Sequence, residues 1–128
     1  MKCIAAAALV LGLAAPAFAE DPAPLREELR RVDLAGVEGT EVRVARLTLK
    51  PGATVPRHTH HGDEFLYVET GGMLTAGNGK EIPFSDGMTA HFPRGLVHGG
   101  LTNNTGQVLV VITTHVVDKG KPLNVPAE

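Results

Sequence analysis

With 128 residues, 12 basic against 14 acidic side chains and a formal charge of −2, the chain has room for one core of ordinary size and no second. That balance excludes a binder of phosphate backbone, because Arg26, Arg30 and Arg31 are interleaved with Glu27 and Glu28 and form no basic cluster. A lone cysteine, Cys3, excludes an internal disulfide and leaves any metal chemistry to His, Asp and Glu.

The chain opens on Lys2, an uncharged apolar run from Ile4 to Ala15, and the small-x-small triplet Ala17-Phe18-Ala19 followed by acidic Glu20. This pattern predicts a secretory signal peptide over residues 1–19 and an exported protein, periplasmic or secreted. The run is shorter than the ~20 residues that span a bilayer, and no second one follows, so no membrane segment is expected after cleavage. Residues 20–39 read as a leader and edge segment. Leu25, Leu29 and Val32 fit a helical face, but the pattern breaks at Asp33 to Gly39, and a strand or short edge segment is the preferred reading.

Residues 40–117 carry β signals throughout. Glu41 to Lys50 is rich in Val, Leu and Thr and ends at Pro51-Gly52, a turn pair. Ala53 to His60 and Glu64 to Thr70 follow as neighbouring strands. Gly77-Asn78-Gly79 forms a hairpin tip between Met73 to Ala76 and Lys80 to Phe84. Met88 to Phe92, Leu96 to Thr102 and Gln107 to Val117 complete the set, separated by Pro93-Arg94-Gly95 and Asn103 to Gly106. Short strands punctuated at this spacing mark an all-β sandwich or barrel. Residues 118–128, with two prolines, read as an arm over the barrel surface or a frayed end.

His58 and His60 are two apart in a predicted strand, which puts both imidazoles on one face. Glu64 returns to the same point after a short loop, and His98 arrives from a distant part of the chain. Three neutral imidazoles and one carboxylate suit a divalent transition metal, one of Fe, Mn, Ni, Cu, Co or Zn, and suit all-oxygen cations poorly. An HxH pair alone is weak evidence; the surrounding spacing strengthens it. Gly52, His58, His60, Glu64 and Gly71 are separated by five, one, three and six residues. Gly87, Pro93, Gly95 and His98 are separated by five, one and two.

These two blocks resemble the first and second motifs of the cupin superfamily, and the resemblance extends from about Leu25 to Asp118. It implies a small single-domain double-stranded β-helix, or jelly-roll barrel, with the metal in its mouth. One position departs: the second motif ends in Asn four residues after its His, where this chain has Thr102, with Asn103 one residue later. The glycines of both motifs fall where strands reverse and have a structural reason to be there.

Leu66, Val68 and Leu96 share parity with ligands on their own strands and are expected to line an apolar pocket suited to a small organic substrate. Tyr67 is expected on the opposite face, and Arg57 and Arg94 at the exterior or rim. His61 is a rim residue and a weak candidate for a proton carrier. The facing of His91 is open, and His115 reads as a surface or core histidine. The family's flavonol dioxygenases and oxalate oxidases share the three-His, one-Glu set, so the resemblance favours a metal-dependent oxygenase. A binding or sensory module without turnover, and a metal-dependent isomerase or lyase, are the alternatives. A homodimer is expected, since a small barrel gains buried core by pairing.

Overall fold

The computed structural model describes residues 22–128, so the expected signal peptide at residues 1–19 lies outside the described residues. These form eleven strands and no helix. β1 (Leu25–Asp33), β2 (Thr40–Leu49), β10 (Leu109–Asp118), β5 (Gly62–Thr70) and β8 (Thr89–Phe92) make one antiparallel sheet in that spatial order. Opposite it, β3 (Thr54–Val55), β9 (Leu101–Thr102), β6 (Gly72–Ala76) and β7 (Glu81–Phe84) make a second. A two-stranded piece joins β4 (His58–Thr59) to β11 (Val125–Pro126). The crossovers β2–β10 and β5–β10 give the jelly-roll architecture, and the ambiguous N-terminal segment is the edge strand β1.

β10 shows how local sequence sets the layers. In LVVITTHVVD every second side chain, Leu109, Val111, Thr113, His115 and Val117, is buried, while the others are half-exposed on the outer face. Its neighbours follow the same parity, with Ala45, Leu47 and Leu49 inward on β2 and Glu64 and Val68 inward on β5. Leu47, Leu49, Ala53, Val68, Leu74, Phe84, Leu109 and Val111 form the core between the sheets. Each Val, Leu or Phe side chain of this set removed from water stabilises the fold by about 1.5–3 kcal/mol before chain entropy is counted. The four-stranded sheet does not extend over β1, all of whose residues are exposed.

Two predicted strands come out broken or much shortened. Ala53 to His60 is interrupted at Pro56, which has no N–H to give to a ladder, and splits into β3 and β4. Of Leu96 to Thr102 only β9 is strand, because Gly99 and Gly100 adopt positive φ; His98 is held instead by an isolated bridge to His58. The loop before Glu64 is tighter than expected, as β5 already begins at Gly62. The C-terminal arm is paired: β11 lies antiparallel to β4, and the Ala127 N–H donates to the Arg57 carbonyl. Gly71 is not a positive-φ turn; a Cβ there would collide with the Phe84 carbonyl oxygen, so its role is close backbone approach.

Candidate metal centre

The strands bring His58, His60, Glu64 and His98 together, with one potential ligand atom from each lying within 4.8 Å of the others. His58 and His60 flank Thr59 at the end of β4, Glu64 enters from β5, and His98 is drawn in by reciprocal backbone hydrogen bonds with His58 of 2.9 and 3.0 Å. All but His98 are buried, and His98 is half-buried. Gly99 makes the approach possible, since a Cβ at that position would run into the Pro56 carbonyl oxygen.

Each imidazole is oriented through its far nitrogen. His58 Nδ1 lies 2.7 Å from the Pro56 carbonyl oxygen, His60 Nδ1 2.6 Å from that of Leu123, and His98 Nδ1 3.0 Å from that of Leu96. A carbonyl only accepts, so Nδ1 carries the proton in all three rings and Nε2 of the neutral form is left as a lone-pair donor. Phe92 stacks on His98 with centroids 4.3 Å apart and planes 9° apart, which fixes that ring further. The orientation of His60 therefore depends on the C-terminal arm, through Leu123.

Glu64 Oε2 lies 2.8 Å from His60 Nε2 and 2.8 Å from His98 Nε2. A carboxylate oxygen and a neutral imidazole Nε2 both present lone pairs, so contacts this short require a cation between them, either a proton or a metal ion. Burial opposes ionisation of Glu64, yet hydrogen bonds with His60 and His98 outweigh it and hold the carboxyl well below its ordinary range. Burial also pulls His98 downward, but its bonds to Glu64 and to the Leu96 carbonyl leave it raised. His58 is lowered, chiefly by burial. The donor chemistry thus fits one divalent transition metal held by three imidazoles and one carboxylate.

Sequence reasoning missed the part played by two residues. His115, read only as a surface or core histidine, is fully buried beside the cluster. Its Nε2 is 3.6 Å from Glu64 Oε1, its ring meets His60 edge-on at 4.6 Å, and neither ring nitrogen has a hydrogen-bond partner. Burial pushes its pKa down to about 4, so it is neutral near physiological pH. Arg26 reaches from β1 into the site, its Nη1 donating to Thr113 Oγ1 at 3.3 Å. The pairing Arg26–Leu47 was the signal, but it depends on β1 lying beside β2.

A cavity of about 60 Å³ lies against the cluster, lined by Leu66, Phe92, Leu101, Val111 and other mainly apolar groups, with His58, Glu64, His98, Arg26 and Thr113 as its polar members. Leu66 is on this wall as expected. Val68 and Leu96 are not: Val68 is fully buried in the core, and Leu96 is exposed after the Pro93-Arg94-Gly95 turn. Parity placed Val68 on the correct face but one pair too deep, whereas Leu96 is in a turn, where strand parity does not apply. His61 is half-buried outside the cavity, and its carbonyl accepts the Asp118 N–H. His91 is exposed, 3.3 Å from Asp63 and stacked on Phe65. Tyr67 is exposed on the outer face, as parity requires. Asn103, the displaced motif residue, is fully buried; its amide donates to the Leu49 and Gln107 carbonyls and its Oδ1 accepts from Thr105, so the turn is fixed one residue later in sequence.

The Cupin domain family matches residues 45–115, and the chain belongs to the cupin family. It is 31% identical over 91 residues to germin-like protein subfamily 3 member 1 of Arabidopsis thaliana, covering 66% of this chain and 44% of that one. With germin-like protein subfamily 3 member 3 of the same plant it shares 36% over 86 residues, covering 61% and 40%. The chain therefore spans less than half the length of these curated relatives. A double-stranded β-helix protein of Klebsiella pneumoniae superposes with a TM-score of 0.61 at 20% identity, covering 86% of this chain and 89% of that one, a likeness of fold.

Proposed function

We propose that this protein is an exported metal-dependent cupin enzyme, an oxygenase acting on a small organic substrate in the barrel mouth. The observation that carries the reading is the set of three Nε2 donors, oriented by backbone carbonyls and converging with Glu64 on one point at the cavity wall. His58, His60, Glu64 and His98 would hold the ion. Once bound, a divalent Fe, Mn or Ni with four protein ligands supplies open coordination positions and Lewis acidity for a chelating substrate and dioxygen. The chain's own part is to keep the imidazoles in one tautomer, to exclude bulk water with Leu66, Phe92, Leu101 and Val111, and to bound substrate size.

About 60 Å³ is far below the ~300–1,000 Å³ of common ligand pockets, which favours a substrate of a few heavy atoms over a flavonol. Export rests on the signal-like pattern of residues 1–19. A homodimer is supported by the exposed outer-face side chains Phe65 and Tyr67 and by the bare edge strand β1.

A binding or sensory role without turnover is the second reading. It is favoured by the same small volume and by the lack, among the described cavity-lining residues, of an acid–base side chain other than the ligands. An isomerase or lyase needs a proton carrier, and His61 does not line the cavity. Elemental analysis of the purified protein beside His60→Ala tests the site: one equivalent of a transition metal in the first and its loss in the second are expected. Oxygen uptake by the loaded protein with oxalate, a catechol or a flavonol then separates the readings. Uptake with none of them, together with a ligand recovered unchanged, leaves the binding module.

A further inference from the structure

Arg26 sits where a long side chain can cross a neighbouring strand. It pairs with Leu47, an inward residue of β2, so its own side chain starts on the inner face of the sheet. The inward residue of β2 opposite Thr113 is Ala45, whose methyl leaves room above it. Arg26 reaches Thr113 on β10, the strand beyond β2. It is exposed on its own strand and also lines the cavity, which puts it at the cavity's edge.

Arg31, Arg43, Arg46 and Arg94 each have a carboxylate oxygen within 3.8 Å. Among the described residues Arg26 has no such partner, as is true of Arg30 and Arg57, but of these three only Arg26 lines the cavity. Its one side-chain hydrogen bond goes to the neutral Thr113 hydroxyl. A guanidinium has five N–H donors in a planar fork, and this one stands in a mostly apolar wall that also contains Glu64. With a divalent ion on the cluster, Glu64 offsets one charge, and the ion and Arg26 together leave the cavity positive.

We infer that Arg26, steadied by Thr113, is an anion seat, and that the ligand taken beside the cluster is a small carboxylate. This rests on the metal-dependent reading above and narrows its substrate class. The guanidinium fork matches a carboxylate in two parallel hydrogen bonds, and the cavity volume holds the acid to a few heavy atoms. Arg26 selects the ligand; it is not assigned a role in bond making.

The test compares glycolate with its neutral amide, glycolamide, by titration calorimetry on Mn(II)-loaded wild type, Arg26→Met and Arg26→Lys, with metal content measured for each. Wild type is expected to prefer glycolate, and Arg26→Met to lose about tenfold or more of that preference at unchanged metal content. Arg26→Lys restores part of it, as charge without the fork. Glycolate binding by fully loaded Arg26→Met equal to wild type overturns the seat, as does loaded wild type that binds no glycolate. A wild type that takes up no metal instead overturns the metal-dependent reading. The same two probes on the metal-free proteins then judge the seat alone, with loss of glycolate preference in Arg26→Met supporting it and no difference overturning it.

Discussion

The barrel interior has an apolar half and a histidine half, and β10 runs through both. Leu109 and Val111 pack among Leu47, Leu49, Val68, Leu74 and Phe84, the apolar core. Two residues further on, Thr113 and His115 carry the same inward parity into a region of Glu64, His60 and Arg26. The backbone is the same on both sides, with ten consecutive antiparallel partners between β10 and β2. Strand geometry thus specifies which side chains point inward but not what they do there. The apolar half supplies stability, while the polar half spends some of it on a buried carboxylate and a histidine without hydrogen-bond partners.

Substitutions that tell the halves apart sharpen this contrast. Leu109→Ala, in the apolar half, is expected to destabilise by about 3 kcal/mol through lost transfer energy and a cavity, with metal per folded molecule unchanged. Chemical denaturation and elemental analysis check both parts, and a loss of metal from the folded variant would break the separation. Ending the chain after Lys121 removes the Leu123 carbonyl that holds His60 Nδ1. Metal affinity is expected to fall about 10- to 100-fold, read by competition with a chelating dye, while the core remains folded.

His115→Leu should have a smaller effect and the opposite sign. Both ring nitrogens are buried and unbonded, so an apolar side chain of similar size is expected to leave metal-free stability unchanged or to raise it by up to about 1 kcal/mol. A clear destabilisation would show that the contact with Glu64 is worth more than its 3.6 Å separation suggests. The least effect is expected at Asp118, whose carboxyl is held below its ordinary 3.8 by hydrogen bonds from Arg94. The folded form binds a proton less readily than the unfolded, so this contribution is present above about pH 4 and disappears as pH falls through the folded-state value. Between neutral pH and about pH 3 the urea midpoint falls chiefly through Glu64 and His115, and Arg94→Ala should remove only the slight part of that fall that belongs to Asp118. That part is small because the pair is exposed.

Much of the fold was legible because its signals are local. Alternation in β2 and β10, the Gly77-Asn78-Gly79 tip and the glycine-proline punctuation each act over a few residues. The four residues of the candidate metal site were legible for a different reason: spacing within two short blocks fixes which side chains converge once the strands pair. What failed did so where a strand was assumed and a turn exists. Leu96 was assigned a face by parity, but it lies in the turn before the His58–His98 bridge. Val68 shows the other limit, since parity gives a face but not a depth along the barrel.

From its sequence alone this protein determined an all-β chain, the strand faces, and the convergence of His58, His60, Glu64 and His98, because periods of two residues and fixed spacings are properties of the covalent chain. Only the tertiary structure decided that His115 lies against Glu64, that the C-terminal arm orients His60, and that Arg26 reaches across β2 to Thr113 at the cavity. Each of those depends on which strand lies beside which across 51, 63 or 87 residues of sequence, and that order is set by the burial of the whole core.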